Sequence, residues 1–266
     1  MLAIMGVALF AAFRLATREP LLDQQHLEAK HRYLASVEAR ARPNLVVILF
    51  DDLGWGDLGV YGSSAIATPR IDRLAAEGVR LTEYYAPAPY CTPSRAGLLT
   101  GRYPPRTGLV QVTFPHGSPL DRLMRIGHLP TGMPEDEILL PEVLRAAGYA
   151  TGMVGKWHLG GRSPSLPNDL GFDRYFGLLF SNDMAPVPLW RDREIVEPHP
   201  VDQSTLTERY TDEAIAFLEE NRDRPFFLYL AHTFPHIPLF PSATHRGESE
   251  AGRYGDVVED LDRSTG

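Results

Sequence analysis

The order of apolar and polar positions along the chain changes at residue 44. The stretch NLVVILF (44–50) is continuously apolar and rich in β-branched side chains, the pattern of a strand covered on both faces. TPRIDRLAAEG (68–78) opens on a threonine, places proline where a first helical residue would stand and closes on Gly78, which predicts a helix. VRLTEYYA (79–86) reads as a further strand, LPEVLRAAG (140–148) as a helix closed by Gly148, and YATGMVG (149–155) as a short strand. TLTERYTDEAIAFLEENRD (205–223) is amphipathic at helical spacing and leads into the apolar run PFFLYLAH (225–232). Strands alternating with helices predict an α/β fold with a mostly parallel central sheet flanked by helices. Segments 113–135 and 163–200 are rich in Gly and Pro with little periodicity and are expected to be long loops, which usually carry function.

Before residue 44 the pattern is different. Residues 1–13 carry no charge, and Arg14 and Arg18 follow them. The run suits the apolar core of a signal peptide or a short signal anchor, although no basic residue precedes it, and an ordinary buried helix has the same composition. The expectation is export: residues 1–18 as signal peptide or anchor, and a secreted, periplasmic or membrane-anchored protein. Residues 19–42 alternate charged and apolar side chains and read as a solvated helical spacer.

Composition narrows the function classes. Of 266 residues, 44% are hydrophobic and 23% charged, with a net charge of −8. This is globular composition, and the acidic balance with no Lys/Arg run weighs against a nucleic-acid binder. A single cysteine, Cys91, excludes an internal disulfide.

Three predicted strands end in unusual polar residues: 44–50 in Asp51-Asp52, 149–155 in Lys156-Trp157-His158, and 225–231 in His232 with His236 beyond. In open α/β sheets, ligands bind outside the carboxyl ends of the strands. If these strands are parallel, two carboxylates, a lysine and up to three histidines converge there. Adjacent aspartates after a strand are often only a turn or cap. Side by side at a buried sheet edge, however, they repel, and a hard divalent cation relieves that repulsion. Lys156 alone reads as a surface charge and His158 alone as a satisfied buried histidine; their coincidence at three strand ends favours a site. Prolines 235 and 238 suggest a rigid loop that aims His236.

Cys91 stands in YCTPSRAGLLTGRY. Thr92 and Pro93 look like the cap and first position of a helix, which puts residue 91 at a helix N-terminus, where anions are favoured. Arg95 adds a planar cation suited to sulfate or phosphate. A nucleophile, an anion cradle and a metal site together point to transfer of a tetrahedral oxyanion.

CTPSRAGLLTGR resembles the first sulfatase signature and GYATGMVGKWHLG the second; PNLVVILFDDLGWGDLGVYG and PFFLYLAHTFPHIPL resemble the family's metal loop and a histidine-bearing strand. The chain from Pro43 on is therefore similar to the sulfatase family, arylsulfatase branch, with an alkaline-phosphatase-like fold. The resemblance implies that a formylglycine-generating or sulfatase-maturing enzyme oxidises Cys91 to Cα-formylglycine. The aldehyde hydrate would attack the sulfur of a sulfate ester, and its second hydroxyl would then expel sulfate. It further implies that Asp51, Asp52 and residue 91 bind Ca2+, that Arg95 anchors residue 91, that Lys156 contacts sulfate, that His158 accepts a proton, and that His236 binds sulfate and protonates the leaving oxygen.

Two departures bear on these expectations. Family members carry an Asp-Asn metal pair and a second lysine after the His236 strand. Here no Asp-Asn follows, and Asp260 and Asp262 sit on a different predicted element. The expectation is the N-terminal part of a catalytic domain, 43–266, with an incomplete metal site. In FSNDM, Asn182 replaces a histidine that contacts substrate in some arylsulfatases. A phosphate or phosphonate monoester hydrolase of the same superfamily, and an inactive fragment, are the alternatives.

Overall fold

The apolar run 226–231 forms the sheet's most buried long strand and contributes to the cores on both of its faces. The computed structural model describes residues 23–39 and 43–266, so the expected export segment, residues 1–18, lies outside the described residues. In chain order the elements are helix α1 (Gln24–Ala35), strand β1 (Leu45–Asp51), helices α2 (Pro69–Glu77), α3 (Cys91–Thr100), α4 (Pro104–Thr107), α5 (Pro119–Ile126) and α6 (Leu140–Ala146), then strands β2 (Ala150–Gly155), β3 (Arg174–Gly177), β4 (Leu189–Arg191) and β5 (Glu194–Glu197), helix α7 (Leu206–Asn221), strand β6 (Phe226–Pro235) and helix α8 (Gly252–Thr265). The sheet order is β1-β6-β2-β3-β4-β5. β1, β6, β2 and β3 run parallel, and β4 and β5 close one edge antiparallel. The expected α/β class and mostly parallel sheet are what the chain adopts.

β6 is buried along its whole length, and its alternation feeds two cores. Phe227, Tyr229 and Ala231 pack with Trp157, Phe172 and Met153 on one face. Phe226, Leu228 and Leu230 pack with Tyr210, Phe217 and Leu261 on the other. Each such side chain contributes about 1.5–3 kcal/mol on burial, which is why a two-faced strand reads as an unbroken apolar run.

The structure corrects four expectations. β1 is an edge strand, not one covered on both faces: Leu45 and Val46 are 37% and 47% exposed. Its composition matches β6, but burial depends on which neighbours arrive. Residues 79–86 form no strand, because no described backbone pairs with them, and Val79, Leu81, Tyr84 and Tyr85 are exposed. The two expected loops contain α5 and the strands β3, β4 and β5; strands of three or four residues are too short to show a period. Lastly, α1 is no freely solvated helix. Its Lys30 is buried, donates to the carbonyls of Glu135 and Glu137 at 2.6 and 2.7 Å, and pairs with Glu142 at 2.7 Å.

Candidate active site

Asp51 ends β1, and the chain turns at once: Asp52 has φ +67°. β2 ends at Gly155, whose φ of +110° and close approach to the Ala231 carbonyl of β6 exclude any side chain. That turn delivers Lys156 inward, fully buried. Because β1, β6 and β2 are adjacent and parallel, their carboxyl ends form one crevice.

Helix α3 brings Cys91 to it. The structure moves the cap: Tyr90 is the N-cap and Cys91 itself is the first helical residue. Thr92 does not cap. Its hydroxyl donates to the His158 carbonyl at 2.8 Å and accepts the Thr113 N–H at 3.1 Å, which locks α3 to the segment after β2. The first-turn N–H groups of Cys91 and Thr92 have no partner within the helix.

One carboxylate organises the cluster. Asp51 Oδ1 accepts from Arg95 Nη2 at 3.1 Å, while Oδ2 accepts a short bond from Lys156 Nζ and lies 3.7 Å from Cys91 Sγ. Arg95, fully buried, also donates to the Lys156 carbonyl. Lys156 Nζ reaches Ser181 Oγ at 3.0 Å and Cys91 Sγ at 3.4 Å. Burial alone would raise the Asp51 carboxyl, but the Arg95 guanidinium and then the Lys156 ammonium hold it well below the usual carboxylate range. Burial pushes the Cys91 thiol up, and Lys156 only partly offsets this. Residue 91 is therefore a protonated thiol at neutral pH, not an activated thiolate.

The histidines divide. His236 stands at the rim, 14% exposed, with Nδ1 donating to the Ile237 carbonyl and Nε2 facing Ser181 Oγ at 3.4 Å and Asp52 at 3.8 Å. A carbonyl can only accept, so Nδ1 carries a proton, and Nε2 is the ring atom turned to the crevice; in the neutral tautomer it presents a lone pair. His158 is buried, with Nε2 on the Thr113 carbonyl at 3.1 Å and Nδ1 without a partner. Burial first, then the charges of Lys156 and Arg95, push its pKa well below the ordinary value, so the ring is neutral, with a bare Nδ1 that is a weak base. His232 does not join them. It stacks on Phe50, meets Ser264 Oγ at 3.2 Å, and burial lowers its pKa to about 3.

Of the residues singled out in the sequence, the structure brings Asp51, Cys91, Arg95, Lys156 and His236 into contact through this network, with His158 immediately behind. Asp52 lies at the exposed rim, its side chain 60% exposed. Ser181, buried between Lys156 and His236, was not legible: it lies in the aperiodic 163–200 segment. Its neighbour Asn182 donates to Gln203 Oε1 and to the Pro238 carbonyl at 3.0 and 3.1 Å, so it braces the His236 loop. Asp262 accepts from the N–H groups of Arg70 and Ile71 and so caps α2. Asp260 is buried on α8 near His245 and Arg263.

Asp51, Cys91 and His236 each offer one ligand atom, all within 4.8 Å of one another. Ca2+ takes six to eight oxygen ligands. The described residues bring two carboxylates, one of them already bonded to two cations, and with sulfur at 91 they fit Ca2+ only in part; oxygen at 91 improves the match.

The crevice sets buried cations, first-turn helix N–H groups and a hydrogen-bonded histidine at the ends of parallel strands in an α/β protein, chemistry suited to a tetrahedral oxyanion. The Sulfatase family model matches residues 43–266. The chain is 42% identical over 241 residues to N-acetylgalactosamine-6-sulfatase of Sus scrofa, covering 84% of this chain and 45% of that protein. It is 38% identical over 264 residues to human arylsulfatase A, covering 88% and 49%. A crystal structure of a sulfatase from Pseudoalteromonas sp. superposes with a TM-score of 0.73 at 30% identity, covering 91% of this chain and 54% of that one. The chain belongs to the sulfatase family and shares its alkaline-phosphatase-like fold. It spans about half the length of the curated relatives it matches.

Proposed function

We propose that this chain carries the nucleophile and oxyanion-binding part of a sulfatase active site that hydrolyses aryl or carbohydrate sulfate monoesters. The observation that carries this reading is the placement of Cys91. It occupies the first turn of α3, 3.4 Å from Lys156 Nζ and 3.7 Å from Asp51, at the joined ends of parallel strands. The raised thiol pKa makes cysteine itself a poor nucleophile there, which supports conversion to Cα-formylglycine by a maturing enzyme. Once formed, that group supplies a hydrate oxygen as nucleophile and a second hydroxyl whose deprotonation releases sulfate. Lys156 and the helix N–H groups hold the sulfate oxygens. His158, with Nδ1 bare, is the base for sulfate release, and His236 Nε2, which faces the crevice, donates to the departing oxygen when it carries a proton. Arg95 keeps Asp51 ionised and in place. Asp51, Asp52 and an oxygen-bearing residue 91 are this chain's share of a Ca2+ site, and Ca2+ when bound polarises the sulfate oxygens as a Lewis acid. The apolar start of the sequence supports an exported protein.

Mass spectrometry of the peptide containing residue 91, from the native host, tests the reading. Conversion of thiol to aldehyde lowers the mass by about 18 Da, whereas the ordinary oxidation ladder raises it. A converted protein is expected to turn over aryl sulfate faster than aryl phosphate. An unmodified thiol in the native protein, or faster turnover of the phosphate, overturns it.

A further inference from the structure

We propose that the chain with Cys91 unmodified is a Zn2+ binder, using Asp51, Cys91 and His236 as ligands, and that the sulfur-to-oxygen exchange at residue 91 switches the crevice from Zn2+ to hard cations. Zn2+ binding by the thiol form stands apart from the sulfatase reading, whereas the switch rests on the conversion of residue 91 proposed above.

The donor set is one carboxylate oxygen, one sulfur and one imidazole nitrogen, the mixture that Zn2+ accepts and Ca2+ does not. In a tetrahedral Zn2+ site, with bonds of about 2.0–2.3 Å, neighbouring ligand atoms stand roughly 3.3–3.6 Å apart. Here Cys91 Sγ and Asp51 Oδ2 are 3.7 Å apart, and all three ligand atoms lie within 4.8 Å of one another. Closing the set takes about an ångström of side-chain motion. The His236 ring is already prepared, because the Ile237 carbonyl holds the proton on Nδ1 and leaves the Nε2 lone pair facing the crevice. A backbone carbonyl behind a metal-ligating imidazole is the usual outer-sphere support. Three protein ligands leave a fourth position open.

Charge sets the main cost. Arg95 and Lys156 balance Asp51 and Asp52, so the cluster begins near neutrality. Zn2+ entering as one thiol proton leaves makes it positive beside the buried Lys156 ammonium, which is why removing that ammonium is expected to tighten binding. Coordination replaces the S–H bond with a Zn–S bond and passes the proton to buffer. The entering cation displaces the Lys156 ammonium from Asp51 Oδ2 and Cys91 Sγ, and that ammonium keeps Ser181 Oγ, 3.0 Å away, as a partner. Zn2+ seated there occupies the position where Lys156 and the helix N–H groups would meet an oxyanion. The unmodified chain is then closed to sulfate.

The test uses the 266-residue chain with the thiol confirmed by mass, titrated with Zn2+ and with Co2+ as a spectroscopic substitute. The expected result is one tight site per chain, a thiolate-to-cobalt charge-transfer band in the near ultraviolet, and no displacement by millimolar Ca2+. Cys91→Ser, with its fold checked by circular dichroism, is expected to abolish the band and weaken Zn2+ binding at least about a hundredfold, the upper end of what losing even an outer-sphere partner costs. His236→Ala is expected to weaken binding comparably, and Lys156→Met to tighten it. The chain has nine histidines, so tight binding without the sulfur band overturns the proposal. So does unchanged affinity in Cys91→Ser, displacement by Ca2+, or no binding at all.

Discussion

At the scale of single residues, two buried titratable groups both withdraw stability as pH falls, in different pH windows. Asp51 has a lowered pKa. Its stabilisation is complete above the unfolded value near 3.9 and is lost as pH falls through the folded value. His232, lowered to about 3 by burial alone, acts earlier. The unfolded chain takes up its proton below about pH 6.5 while the folded chain does not. His232 therefore withdraws stability steadily from pH 6.5 downward, at about 1.4 kcal/mol per pH unit. Replacing it with phenylalanine, which keeps the stack on Phe50, is expected to shrink the loss of stability between pH 7 and pH 5 by about 2 kcal/mol. Urea unfolding at the two pH values checks this, and an unchanged pH difference would show that another group dominates. Sequence inspection placed His232 and His236 together. They are four residues apart on and just past one strand, a spacing that regular alternation would put on one face. But the pairing with β1 shifts register between Ala231 and Pro235, and His232 lies in the apolar core while His236 stands at the rim.

At the scale of elements, the docking of α1 depends on a buried ion pair. Lys30 satisfies two carbonyls and Glu142, while Glu142 also accepts the Leu139 N–H at 2.9 Å at the start of α6. Removing one member of such a pair leaves a buried charge and costs about 3–5 kcal/mol. Lys30→Ala is expected to lower stability in urea by that amount if α1 unfolds with the rest of the chain. The pair Lys30→Met with Glu142→Gln, which keeps the helix-start hydrogen bond, is expected to recover most of the loss. The charged, weakly amphipathic sequence of α1 conveyed helix but not attachment. A lysine aimed at carbonyls more than a hundred residues away leaves no local signal.

At the scale of the whole molecule, the sheet ends in an edge strand on both sides among the described residues: β5 pairs only with β4, and β1, with Leu45 and Val46 exposed, only with β6. Exposed apolar edge strands invite pairing with other chains, and an edge lysine blocks it. Val46→Lys is expected to suppress concentration-dependent light scattering without changing the circular dichroism spectrum. Equal scattering by both proteins would move the origin of any association elsewhere.

What could be read without the structure was what depends on near neighbours. The apolar runs of β1, β2 and β6, the proline-started helices and the chemistry-bearing residues at strand ends follow from side-chain periodicity and backbone sterics, which act over a few positions. Parallel pairing then made convergence of Asp51, Lys156 and His236 a consequence of topology. The tertiary structure alone decided that β1 lies at an edge and β6 at the centre. It also decided that residues 79–86 find no strand partner among the described residues, that Tyr90 rather than Thr92 stands at the N-cap of α3, that Ser181 sits between Lys156 and His236, and that His232 faces away. Each depends on which distant segment arrives beside it, and burial and hydrogen-bond partners are properties of that arrival.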